Sequence, residues 1–344
     1  MSTGIVAALR HRRRIGAAVG SASVVLLTLL LGACTSSGGS GTAGTVGAAG
    51  STASKLIILE MPFPCGLNQY ASDLCNGADT AAKQLPAGFR LEVKTGTNYE
   101  DTQGFNNLIQ TSLALKPAGL IVFPNGVAAQ TPFLNQACAQ GAKVIFVDSQ
   151  ANGVKCDVSF ETVSAYREGQ LDGQWLIAHP PSPNSKQVAV VEQQPGLFSS
   201  NDLRVSGFVQ TVEAAGYKLV ASVVSTNTVD QTRSLVTNLV TAHPGLAGIF
   251  SANPYLGDGT NLALAGKHSI VQLATGGLLV DMPAVQNGSV GANAADDPYD
   301  EGRVAVQYMA DVLQGKHVPV SYLAPTKLID KADVQQFITV GGMR

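Results

Sequence analysis
From residue 55 to its end, the chain alternates short apolar runs with longer stretches of mixed character. The runs at 56–59, 119–123, 143–147, 188–191, 247–250 and 270–273 are mostly apolar and rich in β-branched residues. That is the composition of parallel strands buried on both faces. Between them, 104–115, 131–140, 165–179, 205–215 and 231–241 read as helices, with Gly or Pro close to their ends. Strand and helix in repeated alternation predict a doubly wound α/β fold. Roughly 290 residues of this pattern exceed one comfortable core, so two parallel-sheet lobes are expected rather than one.

The first 54 residues break the pattern. Arg10, Arg12, Arg13 and Arg14 precede an uncharged apolar run at 15–31, and Leu31, Gly32, Ala33 and Cys34 close it. This is the layout of an export signal. The closing four residues resemble the bacterial lipobox, in which the cysteine is diacylated on sulfur and becomes the first mature residue. An uncleaved membrane anchor is the alternative, since the run could nearly span a bilayer. The lipoprotein reading is preferred because a tether follows. Residues 35–54 contain only Gly, Ser, Thr, Ala and one Val, a flexible coil with a reach of roughly 25 Å. We therefore assign 1–33 to a signal peptide and 34–54 to a tether holding a body at the outer face of the membrane. Gly39, Gly41 and Gly44 match the dinucleotide fingerprint by letter, but no strand precedes them and no helix follows, so the basis for pyrophosphate binding is missing.

Charge narrows the partners. The chain has 22 basic and 24 acidic residues; without the four leader arginines the balance is 18 against 24, or −6. A mildly acidic body lacks the cationic face that nucleic acid requires. Cys65, Cys75, Cys138 and Cys156 are even in number in an exported chain, which favours disulfides. Proximity favours Cys65 with Cys75 and Cys138 with Cys156 over the other two connectivities. No CxxC and no paired-ligand histidine pattern occurs, so no metal is expected. The body also has no GxSxG, HExxH or Gly-Lys-Ser/Thr motif, and neither a cofactor nor catalysis is expected.

One combination is specific. Residues 239–253 read as helix, His243-Pro244, strand and Asn253, and Arg204 to Phe208 precede them in an exported α/β chain. This resembles the sugar-type solute-binding proteins of ABC importers, the ribose- and galactose-binding group. The lactose-repressor family shares that core, but here a signal segment stands where its DNA-binding motif would be. The resemblance implies two lobes joined by a hinge that the chain crosses three times, with a small sugar or polyol held between them and presented to a permease. The implied lobes are 55–162 plus 297–323 and 163–296 plus 324–344. A monomer is expected.

In open α/β sheets, ligands sit outside the carboxyl ends of the strands. Reading those ends against the family gives Phe63, Asn68 and Tyr70 after the first strand and Asp148 in the first lobe. The second lobe gives Asn201, Asp202, Asn253, Thr275 and Asp296. Four of them have an alternative: Phe63 and Tyr70 could pack a loop, Asp148 could serve as a helix or turn cap, and Asn253 could be a turn residue. Trp175, the only tryptophan, is expected in the core. Ser149 replaces a family Arg, Asp202 replaces another, Asn227 stands where an aromatic is common, and Thr275 and Gly276 stand where an Asp is usual. Losing two guanidinium groups while keeping Asp148, Asp202 and Asp296 suggests an acceptor-rich pocket for an acyclic polyol or neutral monosaccharide. It argues against phosphorylated or acidic sugars. Two further readings stay open: a sensor that shows its liganded form to a membrane kinase, and a glycoside hydrolase using a pair of these carboxylates.

Overall fold
The computed structural model describes residues 54–343 except 127, 182–184 and 268, and for 161–163 the backbone alone. The leader, Cys34 and the tether lie outside the described residues. In chain order the elements are β1 (Lys55–Met61), α1 (Gln69–Ala82), β2 (Phe89–Thr95), α2 (Thr102–Leu113), β3 (Gly119–Val122), α3 (Thr131–Ala139), β4 (Lys143–Val147) and β5 (Asp157–Val163). Then follow α4 (Ala165–Ala178), β6 (Gln187–Glu192), α5 (Ser199–Ala214), β7 (Lys218–Val224), α6 (Val229–Ala242), β8 (Leu246–Ser251), α7 (Pro254–Ala263), β9 (Val271–Gly276), α8 (Met282–Asn287) and β10 (Ala292–Ala295). The chain closes with α9 (Pro298–Leu313), β11 (Ser321–Ala324), β12 (Lys327–Asp330) and α10 (Val334–Val340).

Two six-stranded sheets result, ordered β11-β5-β4-β3-β1-β2 and β12-β10-β9-β8-β6-β7. The same doubly wound order is thus used twice, once in each lobe. The chain passes between sheets after β5, after β10 and after β11. One strand departs from the all-parallel expectation: β12 runs antiparallel to β10. It arrives from β11 of the other sheet rather than through a crossover helix, so nothing constrains it to the parallel direction.

Alternation along β1 distributes the first lobe's core. Ile57, Leu59 and Met61 join a cluster with α1 and α9, while Leu56 and Ile58 face the other way toward α2 and α3. Glu60 falls in the same run and is fully buried. Its register partner on β2 is Lys94. Burial, the largest effect, raises its pKa to about 7 against the opposing pull of Ser112 and Lys94.

In each lobe a helix pair crosses at backbone contact. A Cβ at Gly77 would collide with the Tyr299 carbonyl, and one at Gly302 with that of Leu74, which fixes α1 against α9. Gly169 and Gly207 do the same for α4 and α5, against the carbonyls of Arg204 and Tyr166. Both expected disulfides are present: Cys65–Cys75, with Cα atoms 5.9 Å apart, and Cys138–Cys156, at 5.5 Å. Trp175 packs against the second lobe's core, stacks on His179 and donates from Nε1 to Asp330 at 3.1 Å.

Candidate functional site
The carboxyl ends of the two sheets face each other, and a cavity of about 60 Å³ lies between them. From the first lobe, Tyr70, Tyr99, Phe123 and Asp148 line it; all follow strands β1 to β4. Phe198 enters from the loop before α5 and seats edge-on against Phe123 (5.7 Å) and Tyr99 (6.0 Å). The second lobe thereby places an aromatic side chain in the first lobe's core cluster.

The polar wall belongs largely to the second lobe. Gln193 Oε1 accepts from Asn201 at 2.6 Å and from Asn253 at 3.1 Å, leaving its buried Nε2 without a partner. Arg204 donates from Nε to Glu168 at 2.5 Å, from Nη2 to Asp296 at 2.9 Å and from Nη1 to Asn201 at 3.3 Å. Asp296 Oδ1 is buried and has no partner. Gln193 Nε2 and Asp296 Oδ1, one donor and one acceptor, are thus free on residues that line the cavity. A buried polar atom left unsatisfied costs about 1–3 kcal/mol, so both favour a ligand with hydroxyl groups.

Electrostatics follow from crowding carboxyls around one guanidinium. Burial raises Asp148 despite Arg204 and the hydroxyls of Ser200 and Ser149. Burial and the Glu168 charge hold Asp296 well above the usual range, and burial with Asp148 and Asp296 does the same for Glu301. Burial alone would lower Arg204, but Glu168, Asp296 and Asp148 outweigh it and keep the guanidinium charged. Arg204 pulls each of these carboxyls back toward its charged form, and its guanidinium adds hydrogen-bond donors to the wall. The acceptor-rich picture drawn from the two missing family arginines is corrected accordingly: the guanidinium of Arg204 is in the wall, two residues beyond Asp202.

Of the residues named from the sequence, Tyr70, Asp148, Asn201, Asn253 and Asp296 meet at the cavity. Four other expected residues do not line it. Phe63 is buried behind Tyr99 and Phe123, with ring centroids 4.2 and 5.2 Å away. Asn68 caps α1 through Ala71 N (2.8 Å) and donates to the Tyr99 hydroxyl (2.6 Å), so it positions a wall residue from behind. Asp202 turns to the Gly196 N–H at 3.0 Å, because one helical turn cannot carry both it and Arg204 to the cleft. Thr275 is fully buried inside β9, and Gly276 and Leu278 form the wall there. The sequence reading missed Tyr99, Phe123, Gln193, Phe198, Ser200, Tyr255 and Leu278, and quoted Arg204 without placing it in the site. The strand-end rule, carried through at β3 and β6, would have found Phe123 and Gln193, whereas Tyr99 follows β2, which the sequence did not show.

Backbone geometry marks the same place. Among the described residues, three without a glycine have positive φ, and two of them, Asp148 (55°) and Asn227 (61°), line the cavity. Asp and Asn tolerate this region, and strain of this kind concentrates at binding sites. The lobes are held together across the cleft by Ser200 Oγ donating to Asp148 at 2.8 Å, Gln150 N to Ser199 Oγ at 3.0 Å and Leu279 N to Gln69 Oε1 at 2.9 Å.

A family model described as a periplasmic binding protein domain matches residues 63–317, which include both sheets' cavity-facing loops. The chain is a periplasmic binding protein. This periplasmic binding protein is 32% identical over 271 residues to the ribose import binding protein RbsB of Salmonella typhimurium, covering 77% of this chain and 87% of that one. In fold it is similar to a carbohydrate transporter solute binding protein from Agrobacterium radiobacter solved with D-arabinose: TM-score 0.77, 21% identity, 86% of this chain and 100% of that one. A solute binding protein from Mycobacterium smegmatis with bound glycerol gives a TM-score of 0.73 at 23% identity, covering 83% and 97%. The relatives of this periplasmic binding protein are sugar-binding transport proteins rather than enzymes.

Proposed function
We propose that this periplasmic binding protein captures a small neutral sugar or polyol between its lobes and delivers it, unaltered, to the membrane subunits of an ABC importer. The observation that carries the reading is the pair of unpartnered buried atoms, Gln193 Nε2 and Asp296 Oδ1, in a cavity closed by both lobes. The ligands named for its relatives, ribose, D-arabinose and glycerol, support the same class. The lobes are taken as 55–162 plus 297–323 and 163–296 plus 324–344, and the protein as a monomer. Cys34 serves as lipid anchor, so that the body works at the outer face of the membrane. A Cys34→Ala variant should lose fatty-acid labelling and leave the membrane fraction; equal labelling of both forms removes this part of the proposal.

The ligand is sought by thermal shift against polyols, pentoses and hexoses, since binding to the native state alone raises the melting temperature. For the best of them, calorimetry on Asp148→Ala should show binding at least about tenfold weaker, one decade being about 1.4 kcal/mol. Unchanged affinity would move the site elsewhere. Chromatography of recovered ligand should show it intact, and a converted product would replace the binding reading with a hydrolytic one.

A further inference from the structure
The enclosed cavity is not the whole of the cleft. A groove of about 460 Å³ adjoins it and shares Tyr99, Asn227 and Tyr255 with its wall. Beyond these, the first lobe contributes Leu67, Asn98 and Glu100, and the second contributes Thr226 and Thr228. The residues come mainly from loops at β2 and β7, the strands at the edge of each sheet farthest from the crossings. The groove is therefore the mouth of the clamp on the side away from the hinge. It remains open while the hydrogen bonds across the cleft are in place.

Its chemistry is particular. The Tyr99 and Tyr255 rings approach to 6.0 Å from opposite lobes and stand between cavity and groove. Around them are two amides, two hydroxyls and a single carboxylate, and Asn227 Oδ1 is buried with no partner. Aromatic faces combined with neutral hydrogen-bonding edges suit a ring that has apolar C–H faces and equatorial hydroxyls. A purely apolar group would leave the Asn227 carbonyl unsatisfied, and an anion would meet Glu100.

We propose that the groove is a second sugar subsite, so that the protein takes a disaccharide with one ring in the enclosed cavity and the other between Leu67 and Thr228 at the mouth. This rests on the reading of the cavity as a sugar or polyol site. The two lobes bind the first ring by closing on it, and the second ring is held without reopening them.

The test compares monosaccharides with disaccharides built from them by calorimetry: D-glucose with maltose and cellobiose, D-galactose with lactose and melibiose, D-xylose with xylobiose. At least one disaccharide should bind about tenfold or more tightly than either component. In the Leu67→Ala and Thr228→Trp variants, one removing a contact and the other filling the groove, that increment should disappear while monosaccharide affinity is retained. Monosaccharide binding with every disaccharide equal or weaker overturns the subsite and leaves the cavity reading standing. So does an increment that both variants retain. Binding of no sugar in either set overturns the cavity reading and the subsite with it.

Discussion

Replacing Glu60 with Gln should stabilise the first lobe, and by an amount that depends on pH. Glu60 is the penultimate residue of β1, an interior strand of the first sheet, and its carboxyl is fully buried on the face that carries Leu56 and Ile58. Its pKa is raised from the ordinary 4.5 to about 7, burial being the leading cause. Between those two values the folded protein binds a proton that the unfolded chain has released, so stability falls as pH rises through this window. Below about pH 4.5 both states are protonated and there is no penalty. Above about pH 7 both are ionised and the penalty is complete. At about 1.4 kcal/mol per pH unit, the full penalty is roughly 3 kcal/mol. Glutamine is close in shape and carries no charge. The stability of Glu60→Gln relative to wild type should therefore rise by about 2 kcal/mol from pH 5 to pH 8. Any fixed cost of burying the amide beside Ser112 adds equally at both. Denaturant unfolding should be followed by circular dichroism, because the lone tryptophan, Trp175, sits on α4 in the other lobe and reports the wrong transition. A difference between variant and wild type that stays constant from pH 5 to pH 8 would refute a neutral, buried Glu60.

Arg204→Leu should lower the stability of the second lobe by about 3–5 kcal/mol, since it leaves Glu168 and Asp296 buried without their cation; Trp175 fluorescence during unfolding measures it, and a loss below about 1 kcal/mol contradicts the ion-pair account. Gly207→Ala should cost about 2 kcal/mol despite alanine's better helix propensity, because its Cβ meets the Tyr166 carbonyl; the same readout serves, and a neutral or stabilising outcome means that the helices are less closely packed. Removing Cys65–Cys75, which closes a loop of ten residues' separation, should cost about 3 kcal/mol, visible without reductant as a lower melting temperature for a Cys65→Ser, Cys75→Ser double variant, which keeps Cys138–Cys156, than for wild type.

The central strands were legible because burial on both faces makes them continuous apolar runs: β1, β3, β4, β6, β8 and β9 were all anticipated. The edge strands were not. In β2 the sequence FRLEVKT and in β7 KLVASVV are only partly buried, so their polar positions hide the run. The strands β10 to β12 have four residues each and owe their conformation to pairing rather than to composition. Helix α5 begins at Ser199, six residues before the expected start, because its first turn carries the polar Ser200 and Asn201 that face the cavity. Missing β2 concealed Tyr99. The role of Arg204 was concealed differently: its partners Glu168 and Asp296 are 36 and 92 residues away, and no local pattern joins them.

The order of synthesis meets an obstacle in the way the first lobe is assembled. Helix α1 is locked to α9 through Gly77 and Gly302, and β5 pairs with β11. Both partners are made only after the entire stretch from α4 to β10 has been built. At about 5–20 residues per second, the ribosome takes roughly 7–27 s to go from Val163 to Pro298. Throughout that time the α1 face carrying Leu74 and Ala78 has no helix to cover it. The second lobe lacks only β12 and α10 by the end of β10 and can close largely within its own sequence. The lobe encoded first is thus completed last. A nascent chain stopped before α9 should hold a protease-sensitive first lobe beside a second lobe that is already compact.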